Sequence, residues 1–294
     1  MQSRSTARRR TCVSIFPRAL TLRKLNLILL FLIAHPYLSF LENSFQMAPT
    51  IIFIRHAEGI HNVQRDFTIH DPPLTDLGLI TQCPALSQGL QALPIAQEIS
   101  LIVTSPLTRT LQTTTTALAF LTSRGVPTIA HPAFQETTNN NIDIGRPVSS
   151  LAPLFPHVDF NLVEQDQIWP KKEGLYAYSY ESLIERGRVA RRWLKARPEK
   201  VIAVVGHDGF LRVGICGKKF GNADFRIFEF EGGEDELGLI EWKSTEENGG
   251  GLGTCPKGMF GWLPSDFKYM PSKPSEEVMQ TELAKTAMLS SSEN

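Results

Sequence analysis

The stretch that decides the fold is Ile51-Ile52-Phe53-Ile54, and Arg55 and His56 follow it directly. It is a continuous run of β-branched and aromatic residues and lacks the alternation of a strand that has one face in water. Such a run is typical of a strand buried on both faces of a parallel sheet. A guanidinium and an imidazole therefore stand at the point where a buried strand ends.

Two similar runs lie further along the chain, at residues 99–103 and 201–205. Ser105 and Pro106 follow the first of them and predict the capped start of a helix. The second run follows residues 180–195, in which apolar residues recur at helical spacing between charged ones. Strands that alternate with helices predict right-handed crossovers and a sheet covered on both sides.

A hairpin is predicted late in the chain. Residues 225–230 and 237–242 are strand-like and are separated by glycines and acidic residues, which favours antiparallel pairing. The patterns together predict an α/β fold. It is a three-layer sandwich with a mostly parallel central sheet covered by helices on both faces, plus the late antiparallel hairpin.

Composition and charge restrict the function. The chain has 294 residues, of which 42% are hydrophobic and 20% charged, and this excludes wholesale disorder. Seven of the 30 basic residues and one of the 30 acidic residues fall within residues 1–46, which leaves 23 against 29 and a net charge of −6 for the rest. A mildly acidic body excludes a nucleic-acid binder that acts through overall positive charge. An anionic ligand therefore needs a local cluster of cations.

The cysteine and histidine positions predict no metal and no other cofactor. The four cysteines are too few and too scattered for a disulfide framework, and they form no C-x-x-C pair, which favours a reducing compartment. The carboxylates do not cluster at ligand spacing. His56, His61 and His207 are too far apart in the sequence to form a recognised zinc motif.

Residues 1–46 precede the first strand and are expected to lie outside the fold. They are basic and contain an apolar stretch, residues 27–34, that has the length of a signal-peptide core. This stretch is too short to span a membrane unless residues 25–41 act together as an anchor. The arginines also fit an organelle transit peptide. Alternatively, translation starts at Met47, the extension is dispensable and the protein is cytoplasmic; otherwise residues 1–46 direct it to an organelle or the secretory pathway.

Polar residues follow all three strong strand runs, at the edge where open parallel sheets bind ligands. Arg55 and His56 follow the first run, Arg109 lies after the second and His207 follows the third. Each of these residues alone has an ordinary structural explanation. Together they predict a pocket for a tetrahedral oxyanion, because Arg offers a fixed fork of donors and His can donate, accept or attack.

The strings around these residues carry a family resemblance. They are Arg55-His56-Ala57-Glu58-Gly59-Ile60-His61-Asn62, Leu74-Thr75-Asp76-Leu77-Gly78, Thr104-Ser105-Pro106-Leu107-Thr108-Arg109, Phe134-Gln135-Glu136 and Gly206-His207-Asp208-Gly209. In type and order they resemble the motifs of the histidine phosphatase superfamily, the phosphoglycerate-mutase-like proteins, and its phosphatase-type branch. The resemblance covers about residues 50 to 230. We therefore expect a catalytic domain at residues 47–243 and a polar, loosely ordered tail at residues 244–294.

The resemblance implies a role for each candidate residue. His56 would be the nucleophile, which attacks phosphorus and forms a phosphohistidine that water later hydrolyses. Arg55, Arg109 and His207 would surround the nonbridging oxygens of the phosphoryl group, and Asn62 would add a neutral donor. No step of this scheme requires a metal.

A departing alkoxide needs a proton, and the resemblance makes Glu136 the expected donor. Asp143 is a lesser rival. Glu136 has an alternative explanation as a loop residue that bonds to Thr137 or Thr138. Two departures from the family pattern stand next to the histidines: Ala57 replaces a usual Gly, and Asp208 places a carboxylate near an anion site. His61 either contacts the substrate or packs.

Three functions are compatible with these residues. The first is a metal-independent phosphomonoesterase that acts on a small-molecule phosphate ester. The second is a mutase that returns the phosphoryl group from the same histidine to the substrate, and the third is an inactive module that binds a phosphorylated ligand. No nucleic-acid partner is expected, a membrane contact is expected only through residues 25–41, and the oligomeric state is not predicted. Residues 139–178 are expected to wall the pocket, and their aromatics favour a substrate less polar than a triose phosphate; these are Phe155, Trp169, Tyr176 and Tyr178.

Overall fold

The predicted sheet is present. The computed structural model describes residues 47–232 and 237–267. The strands are β1 Thr50–Arg55, β2 Ile99–Thr104, β3 Thr128–Ala130, β4 Val158–Asp159, β5 Val201–Gly206, β6 Phe225–Phe230 and β7 Leu239–Glu241. They form one sheet in the order β4-β3-β2-β5-β1-β6-β7.

The helices cross between these strands or follow them. In chain order they are α1 Ile60–Gln64, α2 Cys83–Gln91, α3 Thr108–Ala117, α4 Ala119–Thr122, α5 Val148–Leu151, α6 Asn161–Glu164, α7 Tyr180–Lys195, α8 Asp208–Phe210, α9 Lys243–Asn248 and α10 Pro264–Phe267. Two π-helical segments adjoin them: Gly78–Gln82 runs into α2, and Leu211–Cys216 continues α8.

The strand pairing brings three carboxyl ends to one edge. β1 pairs in parallel with β5, and their register matches Arg55 with Gly206. β2 is parallel to β5 on its other side. β6 pairs antiparallel with β1 and with β7, so the predicted hairpin is confirmed.

Each face of the sheet has its own apolar cluster. Successive residues of β1 point to opposite faces, as in any strand. Ile52 and Ile54 belong to a cluster with residues of α2 and α3, whereas Ile51 and Phe53 belong to a cluster with residues of α7. The three-layer arrangement predicted from the unbroken apolar runs is therefore confirmed.

The start of α3 differs from the prediction. The sequence placed the cap at Ser105 and the first turn at Pro106, but the helix begins at Thr108. The carboxylate of Asp71 takes the capping role, because its Oδ1 accepts from the Thr108 amide at 2.9 Å. Ser105 does not cap the helix, and its hydroxyl instead contacts the ring of His207.

The first part of the expected tail packs against the sheet. Asp224, which is fully buried just before β6, accepts hydrogen bonds from the amides of Leu252 and Thr254 at 2.8 and 2.9 Å. The Gly251 amide donates to the carbonyl of Phe225 at 2.8 Å. A buried carboxylate needs hydrogen-bond donors, and the backbone amides of this Gly-rich segment supply them. The amino-acid composition of the segment does not predict this packing, because the donors are not side chains.

The N-terminal expectations fall on residues 1–46 and lie outside the described residues. Among residues 47–232 and 237–267, the structure contains no helix whose length and hydropathy suit a membrane span.

Candidate active site

The ends of β1 and β5 place two histidines side by side. His56 follows β1, His207 follows β5, and the His56 amide extends the ladder by donating to the Gly206 carbonyl at 3.0 Å. The centroids of the two imidazole rings are 5.2 Å apart. The ring of His61 lies 5.8 Å from that of His56. The imidazoles that the sequence placed at one sheet edge are thus close enough to contact one ligand.

The ring of His56 is held in one orientation. Its Nδ1 donates to the carbonyl of Ala57 at 2.6 Å, while Nε2 forms no hydrogen bond within the described residues. Burial lowers the pKa of His56 well below its usual value, and the charges of Arg109 and Arg55 lower this pKa further. The ring is therefore neutral near pH 7 and keeps a lone pair on Nε2.

His207 is fully buried and is oriented by a hydroxyl. Its Nε2 lies 2.9 Å from Oγ of Ser105, whose amide donates to the carbonyl of Val205 at 3.0 Å. Burial lowers the pKa of His207 well below its usual value, with a contribution from Arg109. In a neutral ring that accepts from Ser105, Nδ1 carries the proton, and Nδ1 is buried without a partner among the described residues.

Both predicted arginines are held by protein oxygens, and each has a buried Nε without a partner among the described residues. Nη1 of Arg55 donates to the Phe220 carbonyl at 2.8 Å. Arg109 donates through Nη1 to the Ile142 carbonyl at 2.6 Å and through Nη2 to Asp143 at 2.9 Å. In the described part of the chain, Nε of each guanidinium is buried and has no hydrogen-bond partner. A buried donor without a partner costs free energy, and such donors are typical of sites where a ligand supplies the missing acceptor.

Glu136 is half-buried beside the helix that follows His207. Its carboxylate accepts from the amides of Phe210 at 2.9 Å and Gly209 at 3.1 Å. A Cβ at position 209 would lie 2.4 Å from Oε1 of Glu136, so this approach requires glycine. Burial raises the pKa of Glu136, and the negative charge of Asp143 raises it further. The amide of Thr137 also donates to this carboxylate, as the alternative explanation of Glu136 proposed.

The rival carboxylate, Asp143, is occupied by other groups. Its Oδ1 pairs with Arg109 across 2.9 Å, and both side chains are almost fully buried. Its Oδ2 accepts from the amide and the hydroxyl of Thr138 at 3.2 and 2.5 Å. Asp143 therefore orients Arg109, and it is buried whereas Glu136 is half-buried.

Asn62 lies in α1, the short helix that follows His56. Its Oδ1 accepts from the Gly59 amide at 2.9 Å, and its Nδ2 contacts Nε2 of His61 at 3.1 Å. Asn222 donates to the carbonyl of His56 at 3.2 Å and to Oδ1 of Asn62 at 3.4 Å. Burial lowers the pKa of His61 to about 4, so this ring is also neutral near pH 7.

The two departures from the family motif are accommodated. Ala57 is fully buried in the apolar cluster on the α2 side of the sheet, and its amide donates to Oγ1 of Thr113 at 3.0 Å. Asp208 accepts from the amide of Phe220 at 2.8 Å. Because the Phe220 carbonyl accepts from Arg55, Asp208 helps to position the segment that holds this arginine.

Three residues near the site were missed by sequence reasoning. Ser105 was interpreted only as a helix cap. Lys172, in a loop without a pattern, donates from Nζ to the Glu136 carbonyl at 2.9 Å. Arg186 is fully buried on α7, with its guanidinium 4.0 Å from the ring centroid of Phe210. Its position on the apolar side of α7 is a signal that could have identified it.

Most of the expected aromatic wall packs within the protein. Phe155 is buried in a cluster on which Trp169 also packs. Tyr176 is buried, and its hydroxyl donates to Asp166. Tyr178 is half-buried, and its pKa is raised to about 12 by burial and by the charges of Glu136 and Asp143, so this ring is near the acids of the site. The expectation of a weakly polar substrate rested on four aromatic residues. Three of them, Phe155, Trp169 and Tyr176, pack within the protein and do not support it.

In the part of the chain that the structure describes, no three side chains of His, Cys, Asp or Glu come together in a group that could hold a metal ion.

Comparison with known proteins identifies the family. The sequence profile of the histidine phosphatase superfamily (branch 1) matches residues 51–244, which is more than half of the chain. The chain belongs to the histidine phosphatase superfamily. The resemblance inferred from the motifs is confirmed, and the matched span contains all the candidate residues of this superfamily member.

Its relatives carry both phosphatase and mutase-like names. A Schizosaccharomyces pombe protein named as a probable phosphatase is 32% identical over 167 residues, which cover 56% of this chain and 76% of the relative. An Arabidopsis thaliana phosphoglycerate mutase-like protein 1 is 32% identical over 198 residues, which cover 55% and 69% of the two chains.

Two solved structures of phosphatases are also similar to this chain. An ecdysone phosphate phosphatase from Bombix mori, in complex with tungstate, covers 73% of this chain and 96% of its own, with 15% identity and a TM-score of 0.44. A mycobacterial glucosyl-3-phosphoglycerate phosphatase covers 66% and 97%, with 18% identity and a TM-score of 0.41.

Removing Asp143 is expected to destabilise the protein. The Asp143→Ala variant leaves the buried Arg109 charge without its counter-ion, which costs about 3 kcal/mol of the free energy of unfolding. Urea denaturation measures this difference. The control is Glu185→Ala, which breaks the exposed pair with Arg188 and is expected to leave the unfolding midpoint in place. Equal midpoints for the two variants would show that the buried pair does not stabilise the fold.

Proposed function

We propose that the protein is a phosphomonoesterase that hydrolyses a small-molecule phosphate ester through a phosphohistidine on Nε2 of His56. One observation carries the proposal: buried donors without partners among the described residues surround His56, and three of them belong to the residues expected to contact the nonbridging oxygens. They are Nε of Arg55, Nε of Arg109 and Nδ1 of His207. A tetrahedral anion with several acceptor oxygens satisfies such donors, and guanidiniums suit phosphate in particular.

The attack would proceed from a neutral imidazole. The bond from Nδ1 of His56 to the Ala57 carbonyl keeps the proton on Nδ1, so the lone pair of Nε2 forms the new N–P bond. Arg55, Arg109 and His207 would balance the charge on the nonbridging oxygens as the P–O bond to the alcohol breaks. Asn62, at the edge of this group, would add a neutral donor.

Glu136 would move the proton in both steps. With its pKa raised, the carboxyl is protonated more readily than an exposed one and donates its proton to the departing alkoxide. The resulting carboxylate would then take a proton from the water that cleaves the N–P bond. The amides of Gly209 and Phe210 hold the group in place for both transfers.

The mutase alternative uses the same histidine and differs in the fate of the phosphoryl group. The mutase-like name of an Arabidopsis thaliana relative supports it. Single-turnover experiments with an added acceptor alcohol separate the two functions, because a mutase transfers the phosphoryl group to the alcohol faster than to water. An inactive binding module would show neither transfer.

His56→Ala is expected to abolish turnover. Loss of the nucleophile should lower kcat for 4-nitrophenyl phosphate by on the order of 10³-fold or more. The assay is run with a chelator present, since no step of the proposed chemistry uses a metal. His157→Ala, at an exposed histidine, is the matched control and should retain activity. Activity that survives in His56→Ala, or that a chelator removes from the unmodified protein, would contradict the proposal.

Glu136→Gln is expected to affect esters according to their leaving group. For an alkyl ester such as 2-hydroxyethyl phosphate, kcat/KM should fall by about 10²- to 10⁴-fold, because the alkoxide needs a proton. For 4-nitrophenyl phosphate, whose leaving group is stable as an anion, the loss should be much smaller. Glu164→Gln, at an exposed glutamate, serves as the control. Equal losses for both esters would remove Glu136 from the role of proton donor.

The same assignment sets the pH profile of kcat/KM for the alkyl ester. Activity should fall as pH rises through the raised pKa of Glu136, because the acid form is lost. As pH falls through the usual histidine pKa of about 6.5, activity should not decline, since His56 stays neutral to well below that value. An acidic limb centred near pH 6.5 would contradict the neutral nucleophile.

A further inference from the structure

Lys172 is a cation without an acidic partner beside the candidate site. Its side chain is half-buried, and Nζ donates to the Glu136 carbonyl at 2.9 Å. Among the ion pairs of residues 47–232 and 237–267 it forms none, whereas the neighbouring Lys171 is exposed and lies 3.5 Å from Glu173. A carbonyl oxygen satisfies only one of the three donors of an ammonium group.

The acids near Lys172 are engaged by other groups. Asp143 pairs with Arg109, and the Glu136 carboxylate accepts from backbone amides. Burial lowers the pKa of Lys172 to about 7, and Arg186 and Arg109 lower this pKa while Asp143 and Glu136 raise it. An arriving anion would favour the protonated form of Lys172, because it supplies the counter-ion that the ammonium group lacks.

The position of Lys172 relates it to the leaving group. It is anchored on the backbone of Glu136, the proposed proton donor to the alcohol, and its charge is among those that lower the pKa of His207. The donors assigned to the phosphoryl oxygens come from other segments: Arg55 ends β1, Arg109 lies in α3, and His207 follows β5. Lys172 is thus bonded to the residue that is proposed to contact the alcohol oxygen.

We propose that Lys172 is a substrate-binding residue that selects phosphate monoesters whose alcohol carries a second anionic group, a carboxylate or another phosphate. The inference rests on the proposed function and names the substrate class for that site. It replaces the expectation of a weakly polar substrate, because the loop that was expected to supply an aromatic wall supplies a desolvated ammonium group.

Two pairs of esters test the proposal on the full chain. The carboxylate pair is 2-phosphoglycolate and 2-hydroxyethyl phosphate, and the phosphate pair is glucose 1,6-bisphosphate and glucose 6-phosphate. The unmodified protein should show a higher kcat/KM for the ester that carries the second anionic group in at least one pair. The pair that shows this preference identifies the second group as a carboxylate or a phosphate. Hydrolysis of both pairs without any preference would overturn the inference while leaving the proposed function intact. No His56-dependent hydrolysis of 4-nitrophenyl phosphate would instead refute the proposed function.

Substitutions then connect the preference to Lys172. Lys172→Met should lower kcat/KM for the preferred ester by about tenfold or more, mainly through KM. The kcat/KM for the counterpart that lacks the second anionic group should change little. Lys172→Arg should restore part of the preference, and Lys171→Met should behave as the unmodified protein. An equal loss for both members of a pair would show that Lys172 acts on the transferred phosphoryl group or on the fold, and would contradict the proposal.

Discussion

The parallel pairing of β1 with β5 is the constraint on which the site depends. The register that matches Arg55 with Gly206 leaves His56 and His207 as the next residue of each strand, with ring centroids 5.2 Å apart. A slip of one residue would move one ring to the other face of the sheet. The apolar residues of both strands are buried on both faces, so the hydrophobic effect stabilises the sheet in which this register forms.

Burial then determines the charge state of the site. Imidazoles placed in a poorly hydrated pocket beside two guanidiniums lose their affinity for protons, which leaves His56 and His207 neutral. The same surroundings favour the protonated form of the Glu136 carboxyl. One physical effect therefore leaves a neutral imidazole and a carboxyl with a raised pKa in the same pocket, and these are the two groups that the proposed reaction uses.

The sequence predicted the features that depend on local pattern. The unbroken apolar runs gave β1, β2 and β5, and helical spacing gave α7 at residues 180–195 as observed. The cap of α3 was wrong because its partner, Asp71, is remote in sequence. Lys172 was not foreseen because a loop lysine has no periodicity, and only folding brings it to Glu136. Local sequence pattern thus did not predict hydrogen bonds between polar groups that are far apart in the chain.

The central claim is that Nε2 of His56 faces a phosphoryl site lined by Arg55, Arg109 and His207. A crystal structure with orthovanadate tests it most directly, because vanadate adopts the five-coordinate geometry of phosphoryl transfer. The account predicts vanadium within bonding distance of Nε2, with equatorial oxygens on Nε of both arginines and Nδ1 of His207. Vanadate bound elsewhere, or bound in this pocket with the His56 ring turned away, would contradict it.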